Sequence, residues 1–233
     1  MFMKFRFFCF TSHLLISFVI ALLTIFVVFW VWYPSPLDKA LGVADIFLLL
    51  LCIDVIIGPL LTLIVAKQGK KTLKMDLSII GALQIAALSY GLYIVAQGRP
   101  VWLVYDNNRF EVVQAYEAVT NPQSSRGDFP LSLTGPIWGA VIEPVPATVA
   151  RRDAFYQAAF LQKYELVANK SGSNAMPIEV LKRFNDADKV EQEASKYPTA
   201  NSYIPMIGKQ KPMVVFVDKT TGEVIAIVDL APW

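Results

Sequence analysis

Three apolar segments of membrane length fill the first hundred residues of this chain. Side chains with a formal charge are absent from residues 14–37, only Asp54 interrupts residues 46–66, and none lies between Asp76 and Arg99. Each of these stretches holds about 20 residues, enough to cross roughly 30 Å of hydrocarbon at about 1.5 Å per residue. The pattern predicts three transmembrane helices, at about 14–33, 46–66 and 77–96.

The first segment also has features of a secretory signal peptide, because Lys4 and Arg6 precede it. Its apolar stretch is longer than the roughly 7–15 residues of such peptides, and no cleavage site with small residues closes it. Aromatic residues and a proline turn follow instead, over residues 30–36. This sequence is typical of a membrane interface. We therefore expect a retained anchor rather than a cleaved leader.

The distribution of lysine and arginine predicts the orientation of the chain. Six such residues lie before the first segment and in the basic loop between the second and third, whereas the loop at 34–45 carries Lys39 alone. Basic residues in short flanks favour the cytoplasmic side, where they also contact anionic lipid. We expect a bacterial inner-membrane protein with its N-terminus in the cytoplasm and the chain after Arg99 in the periplasm.

Charge and cysteine content separate the chain into two predicted domains. Residues 1–98 carry seven basic and four acidic groups, and residues 99–233 carry 14 and 15. Membrane orientation thus accounts for the positive excess, which indicates no nucleic-acid partner. We expect a membrane domain over 1–98 and a periplasmic α+β domain over 99–233, without cysteine and with a small antiparallel sheet covered by helices on one face.

Local patterns predict several elements after residue 99. Two hairpins are expected, one with its turn at Asp106-Asn107-Asn108 and one with Gly222 in its turn. Residues 151–165 are typical of an amphipathic helix, and a second helical stretch is expected from Pro177 toward Lys196 with an interruption at Asn185-Asp186. Five prolines between residues 122 and 146 predict an irregular or edge segment there.

Asp54 is the most constraining side chain of the membrane segments. A carboxylate at membrane depth costs a few kcal/mol, so it is usually paired, protonated or turned toward protein. Gly58 lies one helical turn further along the same face. Pro59 removes the hydrogen bond to the carbonyl of Val55 and bends the helix. Together these residues predict a polar pocket inside the bilayer.

The third apolar segment carries small residues at a spacing of four, together with the amide of Gln84. The small pairs are Ala82 with Ala86 and Ala87 with Gly91. Such spacing allows close approach of helices and hydrogen bonds between them. Two interpretations are open: internal packing of a three-helix bundle, or a groove for the transmembrane helix of another protein.

The chain lacks most of the residues and motifs on which enzyme active sites usually depend. The single histidine, His13, lies at the cytoplasmic mouth of the first predicted helix, and residues 99–233 contain neither histidine nor cysteine. This composition excludes a Ser-His-Asp or Cys-His site and a zinc site of the usual ligands in that domain. Phosphate-binding and dinucleotide-binding glycine motifs are also missing. We expect no enzymatic activity, no cofactor and no metal.

A group of motifs between residues 32 and 105 is similar to a known family. They are Trp32-Tyr33-Pro34-Ser35-Pro36-Leu37, Asp54-Val55, Gly58-Pro59-Leu60-Leu61-Thr62, Gly69-Lys70-Lys71, Gln84, Tyr90-Gly91 and Gly98-Arg99-Pro100. With these motifs the chain resembles the type IV pilin accessory proteins, the TfpX/TfpZ group. The resemblance fades in the C-terminal domain.

The resemblance implies an inner-membrane protein dedicated to one type IV major pilin. Such a protein holds pilin subunits before they enter the pilus, or influences pilus extension against retraction. Its other expected contacts are membrane lipid and further proteins of the pilus machinery. A pilin awaiting assembly keeps an apolar helix in the membrane and its head outside. We therefore predict a partner-binding surface, whose candidate residues are Asp54, Gly58, Pro59, Gln84, Ala87 and Gly91.

The contact made by Asp54 has two interpretations. In the first it meets a polar or cationic group, either at the terminus of the pilin helix or within the bundle as Gln84. In the second it is protonated and satisfied inside the bundle. A function of a different class is a small membrane transporter or signalling subunit in which Asp54 relays a proton or an ion. A third is a membrane anchor that presents an enzyme of unknown type.

Overall fold

The computed structural model describes residues 2–120 and 129–233. They form two compact units. The helical unit comprises the chain up to Trp30 together with Val43–Gln97. The sheet unit comprises residues 31–42 and the described chain from Gly98 onward. The sequence prediction divides the chain at residues 98–99, whereas the contacts also group residues 31–42 with the C-terminal part.

The helical unit contains the predicted membrane spans. Helix α1 (Phe2–Phe26) continues into a π-helical segment, Val27–Trp32. After α2 (Leu37–Leu41), which belongs to the sheet unit, come α3 (Val43–Val65) and α4 (Leu73–Gln97). Within the part of the chain that the structure describes, α1, α3 and α4 are the three helices long and apolar enough to cross a membrane. The prediction of three spans is confirmed.

Helix α3 lies between its two neighbours in the helical unit. Both α1 and α4 pack along α3, but among residues 2–120 and 129–233 they hardly contact each other. Phe47, Leu51 and Thr62 of α3 are buried in these contacts. The arrangement is therefore a row of three helices rather than a closed bundle.

The sheet unit is built on a curled mixed sheet with eight strands in the described residues. Its order is β4-β3-β1-β2-β6-β7-β8, with β5 paired to β6. The strands are β1 (Pro100–Asp106), β2 (Arg109–Gln114), β3 (Ile137–Val141), β4 (Leu161–Lys163), β5 (Met176–Pro177), β6 (Ser202–Ile207), β7 (Met213–Val217) and β8 (Val224–Val228). The helices are α5 (Arg151–Ala154), α6 (Ala168–Asn174) and α7 (Ala187–Ser195).

The α+β class is confirmed, but the sheet is larger than predicted and is not purely antiparallel. Strands β1 and β3 are parallel, as are β2 and β6, where Phe110 lies opposite Met206. Parallel pairs need a crossover connection and join strands that are distant in sequence. Local alternation of residues cannot indicate such pairs, whereas it does indicate hairpins.

Both predicted hairpins are confirmed. Strands β1 and β2 pair antiparallel, and Asn107 in their turn adopts a positive φ of 56°. Strands β7 and β8 also pair antiparallel, and Gly222 has a φ of 70°. In that second turn, the carboxylate of Asp218 accepts hydrogen bonds from the backbone N–H groups of Thr220 and Thr221, and these bonds lower its pKa.

The helix predicted over 151–165 is wrong. Helix α5 already ends at Ala154, because Leu161–Lys163 pairs as β4 against β3. This tertiary pairing overrides the helical periodicity. The second helical stretch, predicted from Pro177 toward Lys196, is interrupted where expected. Ile178–Arg183 is a 3-10 helix, and α7 begins after Asp186. The carboxylate of Asp186 caps α7 by accepting hydrogen bonds from two backbone N–H groups.

The proline-rich segment contains an interior strand. Strand β3 lies between β1 and β4, so the prediction of an irregular or edge segment is wrong for Ile137–Val141. These five residues contain no proline and keep all their backbone donors for the ladder. Residues 121–128 of the segment lie outside the described residues.

The linker between the first two spans is an integral part of the sheet unit. Leu37 and Ala40 are 2 % and 0 % exposed, within a core cluster that also contains Leu103 and Met206. The carbonyl of Ala40 accepts hydrogen bonds from the backbone N–H groups of residues 210 and 211, at 2.9 and 3.2 Å. Residues 31–42 therefore complete the sheet unit instead of forming a free loop.

Candidate functional site in the helical unit

An open groove runs along α3 between α1 and α4. It contains a cavity of about 140 Å³ to which all three helices contribute. Its lining residues are His13, Ile16, Ser17, Ile20 and Ala21 of α1, Leu51, Asp54 and Val55 of α3, and Gly81, Gln84, Ile85 and Leu88 of α4. We call this feature the α3 groove. Its surface is apolar apart from a few polar side chains, a composition suited to the interior of a bilayer.

Asp54 and Gln84 meet at the α3 groove. The Nε2 of Gln84 donates a hydrogen bond of 2.8 Å to the backbone carbonyl of Asp54. The Oδ2 of Asp54 and the Oε1 of Gln84 are both buried without a hydrogen-bond partner in the described part of the chain. Gln84 therefore contacts the backbone of Asp54 rather than its carboxylate, and each of the two side chains keeps one enclosed oxygen without a partner in the described residues.

Two glycines let α3 and α4 approach closely. A Cβ atom on Gly58 would lie 2.0 Å from the Nε2 of Gln84, and one on Gly91 would lie 2.1 Å from the Cδ1 of Leu50. Each helix thus inserts a side chain against a glycine of the other. Gly91 therefore serves internal packing, as the first interpretation of the small residues expects.

The structure brings together four of the six predicted partner-binding residues. Asp54, Gly58, Gln84 and Ala87 line a second cavity of about 150 Å³ between α3 and α4. Pro59 is buried beside them in α3, and Gly91 lies about two turns further along α4, under Leu50. Their binding roles stay predictions.

A polar contact between α1 and α3 has no counterpart in the sequence predictions. The Nδ1 of His13 and the Oγ1 of Thr62 are 2.6 Å apart, and Arg6 donates a hydrogen bond of 2.8 Å to the carbonyl of Ala66. Thr62 follows Gly58 at the same spacing of four that relates Gly58 to Asp54, so the sequence does contain a signal for it. These bonds hold α1 against α3.

A partly buried charge cluster lies on the sheet unit where β2 meets β6. The Nζ of Lys209 is 2.7 Å from a carboxylate oxygen of Glu117 and 5.5 Å from the ring centre of Tyr156. Burial raises the pKa of Glu111, while the charges of Arg109 and Lys209 partly offset that rise. Lys209 thus compensates the acidic groups, and the cluster is a structural network.

Metal ligands do not converge in the described chain. Within residues 2–120 and 129–233, no group of three or more His, Cys, Asp or Glu side chains is placed to hold a metal ion. His13 and Asp54 both line the α3 groove, but they form no such group. The absence of a cofactor, of a metal and of enzymatic activity stays a prediction.

A family model and three relatives that match this chain share one description. A family model described as fimbrial assembly protein FimB matches residues 1–42. The fimbrial assembly proteins of serogroups E1 and I of Dichelobacter nodosus are each 38 % identical over 103 residues, which cover 43 % of this chain and 40 % of their own length. No solved structure matches the chain significantly.

A third relative is covered over most of its length. The fimbrial assembly protein of Dichelobacter nodosus serogroups C1 and C2 is 36 % identical over 103 residues, which are 43 % of this chain and 79 % of that protein. This relative carries the same description as the family model that matches residues 1–42. The chain therefore belongs to the fimbrial assembly protein family, the type IV pilus accessory proteins that its sequence resembles.

Proposed function

We propose that this chain is a non-enzymatic accessory protein of type IV pilus assembly in the bacterial inner membrane, acting on the major pilin. The observation that carries the proposal is the 36–38 % identity over 103 residues to proteins named for fimbrial assembly. The chain spans 40 % of the length of two of these relatives, so its role is inferred from the shared part.

The architecture supports a chaperone that handles a membrane-embedded subunit. The α3 groove offers an apolar surface with polar groups, where the helix of a pilin subunit packs before assembly. The sheet unit, which we propose to be periplasmic, contacts the pilin head. Both contacts end when the subunit enters the pilus, so the protein acts before incorporation or on the balance of extension and retraction.

Deletion of the gene tests this function. We expect surface pili to fall at least tenfold, measured by shearing, and to return with the wild-type gene. Total pilin, measured by immunoblot, separates two forms of the role. Intact pilin without pili indicates assembly, and loss of both indicates stabilisation of the subunit. Unchanged surface pili would contradict the proposed function.

Orientation is tested by reporter fusions. A phosphatase active only in the periplasm is joined after Trp233, and the matched control carries the same enzyme after Lys71, in the basic loop. We expect activity from the first fusion and at least tenfold less from the second, because the basic loop favours the cytoplasm. A silent fusion at Trp233 would overturn the proposed periplasmic location of the sheet unit.

A further inference from the structure

We propose that strand β8 is the surface through which two copies of this chain associate, each copy adding its free strand edge to the sheet of the other. The two β8 strands pair antiparallel, so that one sheet continues across both copies. Three features of β8 support this contact: its free edge, its uncharged sequence and the opposite charges at its two ends. The contact belongs to the sheet unit alone and does not depend on the proposed function.

Strand β8 lies at one end of the sheet. It pairs with β7 on one side, and no strand of residues 2–120 or 129–233 pairs with its other edge. A free strand edge carries a row of backbone N–H and C=O groups with which a further strand can pair. An extended chain is therefore the occupant that fits this edge, because its own backbone groups match the spacing of the row.

The sequence of β8 lacks the charges and prolines that commonly protect an edge strand. Its five residues, VIAIV, are all apolar, and the first four keep part of their surface exposed. The strand at the opposite end of the sheet, β4, has only three residues and includes Lys163. A short, charged edge discourages pairing, whereas a longer apolar edge favours it. The pairing of β8 with β7 shifts register next to Val224, so Ala226, Ile227 and Val228 form the regular part of β8.

The C-terminal end of β8 is basic. Asp229, which follows the strand, contacts three lysines from three different segments of the sheet unit. The Nζ atoms of Lys39 and Lys211 lie 3.4 and 2.5 Å from its carboxylate oxygens. Lys189 of α7 donates a hydrogen bond of 3.0 Å to its backbone carbonyl. Because three lysines surround one aspartate, this end of the strand has a local excess of positive charge.

The N-terminal end of β8 is acidic. Glu223, directly before the strand, is exposed and forms no ion pair within the described residues. The turn also contains Asp218 and Lys219, so its net charge is negative. Antiparallel pairing places the start of β8 in one copy beside the end of β8 in the second copy, so Glu223 meets the positive excess around Asp229. The two-fold axis makes this contact twice. These charges make β8 complementary to itself, and the occupant we propose is therefore a second copy.

Disulfide cross-linking of the full chain in membranes tests this contact. Cys9 and Cys52 are replaced by alanine, and a single cysteine is placed at Ala226 or at Ile227. The matched control carries its cysteine at Val119, which is 56 % exposed and belongs to an isolated β-bridge outside β8. After oxidation we expect a covalent dimer from at least one β8 position, at least tenfold more abundant than from the control. Equal yields, or adducts with a different protein instead of the dimer, would overturn the proposal.

Charge reversal tests the antiparallel direction. Glu223→Lys brings a further lysine to the basic end of the second copy. We expect the covalent dimer to fall roughly fivefold, because like charges then repel at both symmetric contacts. The control is Asp153→Lys, which reverses an exposed acid of α5 beside a core cluster that contains no residue of β8. We expect this control to leave the dimer unchanged. An undiminished dimer in Glu223→Lys would refute the antiparallel pairing.

A compensating substitution separates a lost contact from a damaged fold. Lys39→Glu changes the lysine with the longest contact to Asp229, and its side chain is 59 % exposed. Combined with Glu223→Lys, it restores opposite charges across the proposed contact. We expect the double variant to recover at least half of the dimer that the unreversed chain forms. No recovery at a normal amount of protein would refute the pairing of β8 with a second copy.

Discussion

Leu37→Ala lowers the free energy of unfolding of the sheet unit by about 2–5 kcal/mol. Leu37 belongs to the linker between the first two spans, yet it is 2 % exposed inside the main core cluster. Its neighbours in that cluster include Leu103, Ile204 and Met206, which are themselves buried. Removal of its side chain leaves a cavity that the paired strands cannot close, because their ladders hold the backbone in place.

Urea titration of the full chain in detergent micelles, followed by brief proteolysis, measures this loss. The matched control is Leu166→Ala, the same change at a side chain of the sheet unit that is 72 % exposed. We expect the control to change the free energy of unfolding by less than about 0.5 kcal/mol. Equal stability of Leu37→Ala and the control would contradict the assignment of residues 31–42 to the core of the sheet unit.

Gly58→Leu destabilises the helical unit by about 1–3 kcal/mol and abolishes the hydrogen bond from Gln84 to the carbonyl of Asp54. The new Cβ would overlap the carboxamide of Gln84, which must move away and lose its bond to the Asp54 carbonyl. The displaced amide then lacks that partner at membrane depth, which adds to the steric cost. We expect helices α3 and α4 to separate and surface pili to be lost with them.

Thermal unfolding in micelles, followed by circular dichroism, measures the stability of this variant. We expect the Tm to fall by about 5 °C, at roughly 2–4 °C per kcal/mol. Gly81→Leu is the control on α4, because its side chain enters open space and leaves the Tm within about 1 °C. A wild-type Tm for Gly58→Leu would mean that close approach at Gly58 does not hold α3 to α4.

Part of the candidate site follows from short-range rules of the sequence. Asp54 and Gly58 share a face because helical spacing places residues four apart on one side, and both line the same cavity. The small residues of α4 also indicated close packing. Which of these small residues packs internally depends on the neighbouring helix. The contact of Leu50 with Gly91 shows that Gly91 does.

The sequence by itself determined the three spans and the two hairpins, because hydrophobic length and turn residues act within about 20 residues. The tertiary structure alone decided the parallel pairing of β2 with β6, the burial of residues 31–42 in the sheet unit and the bond between His13 and Thr62. These contacts join segments separated by 49 or more residues along the chain. They depend on how complete surfaces fit together, because a local pattern places a residue on a face but does not select the partner of that face.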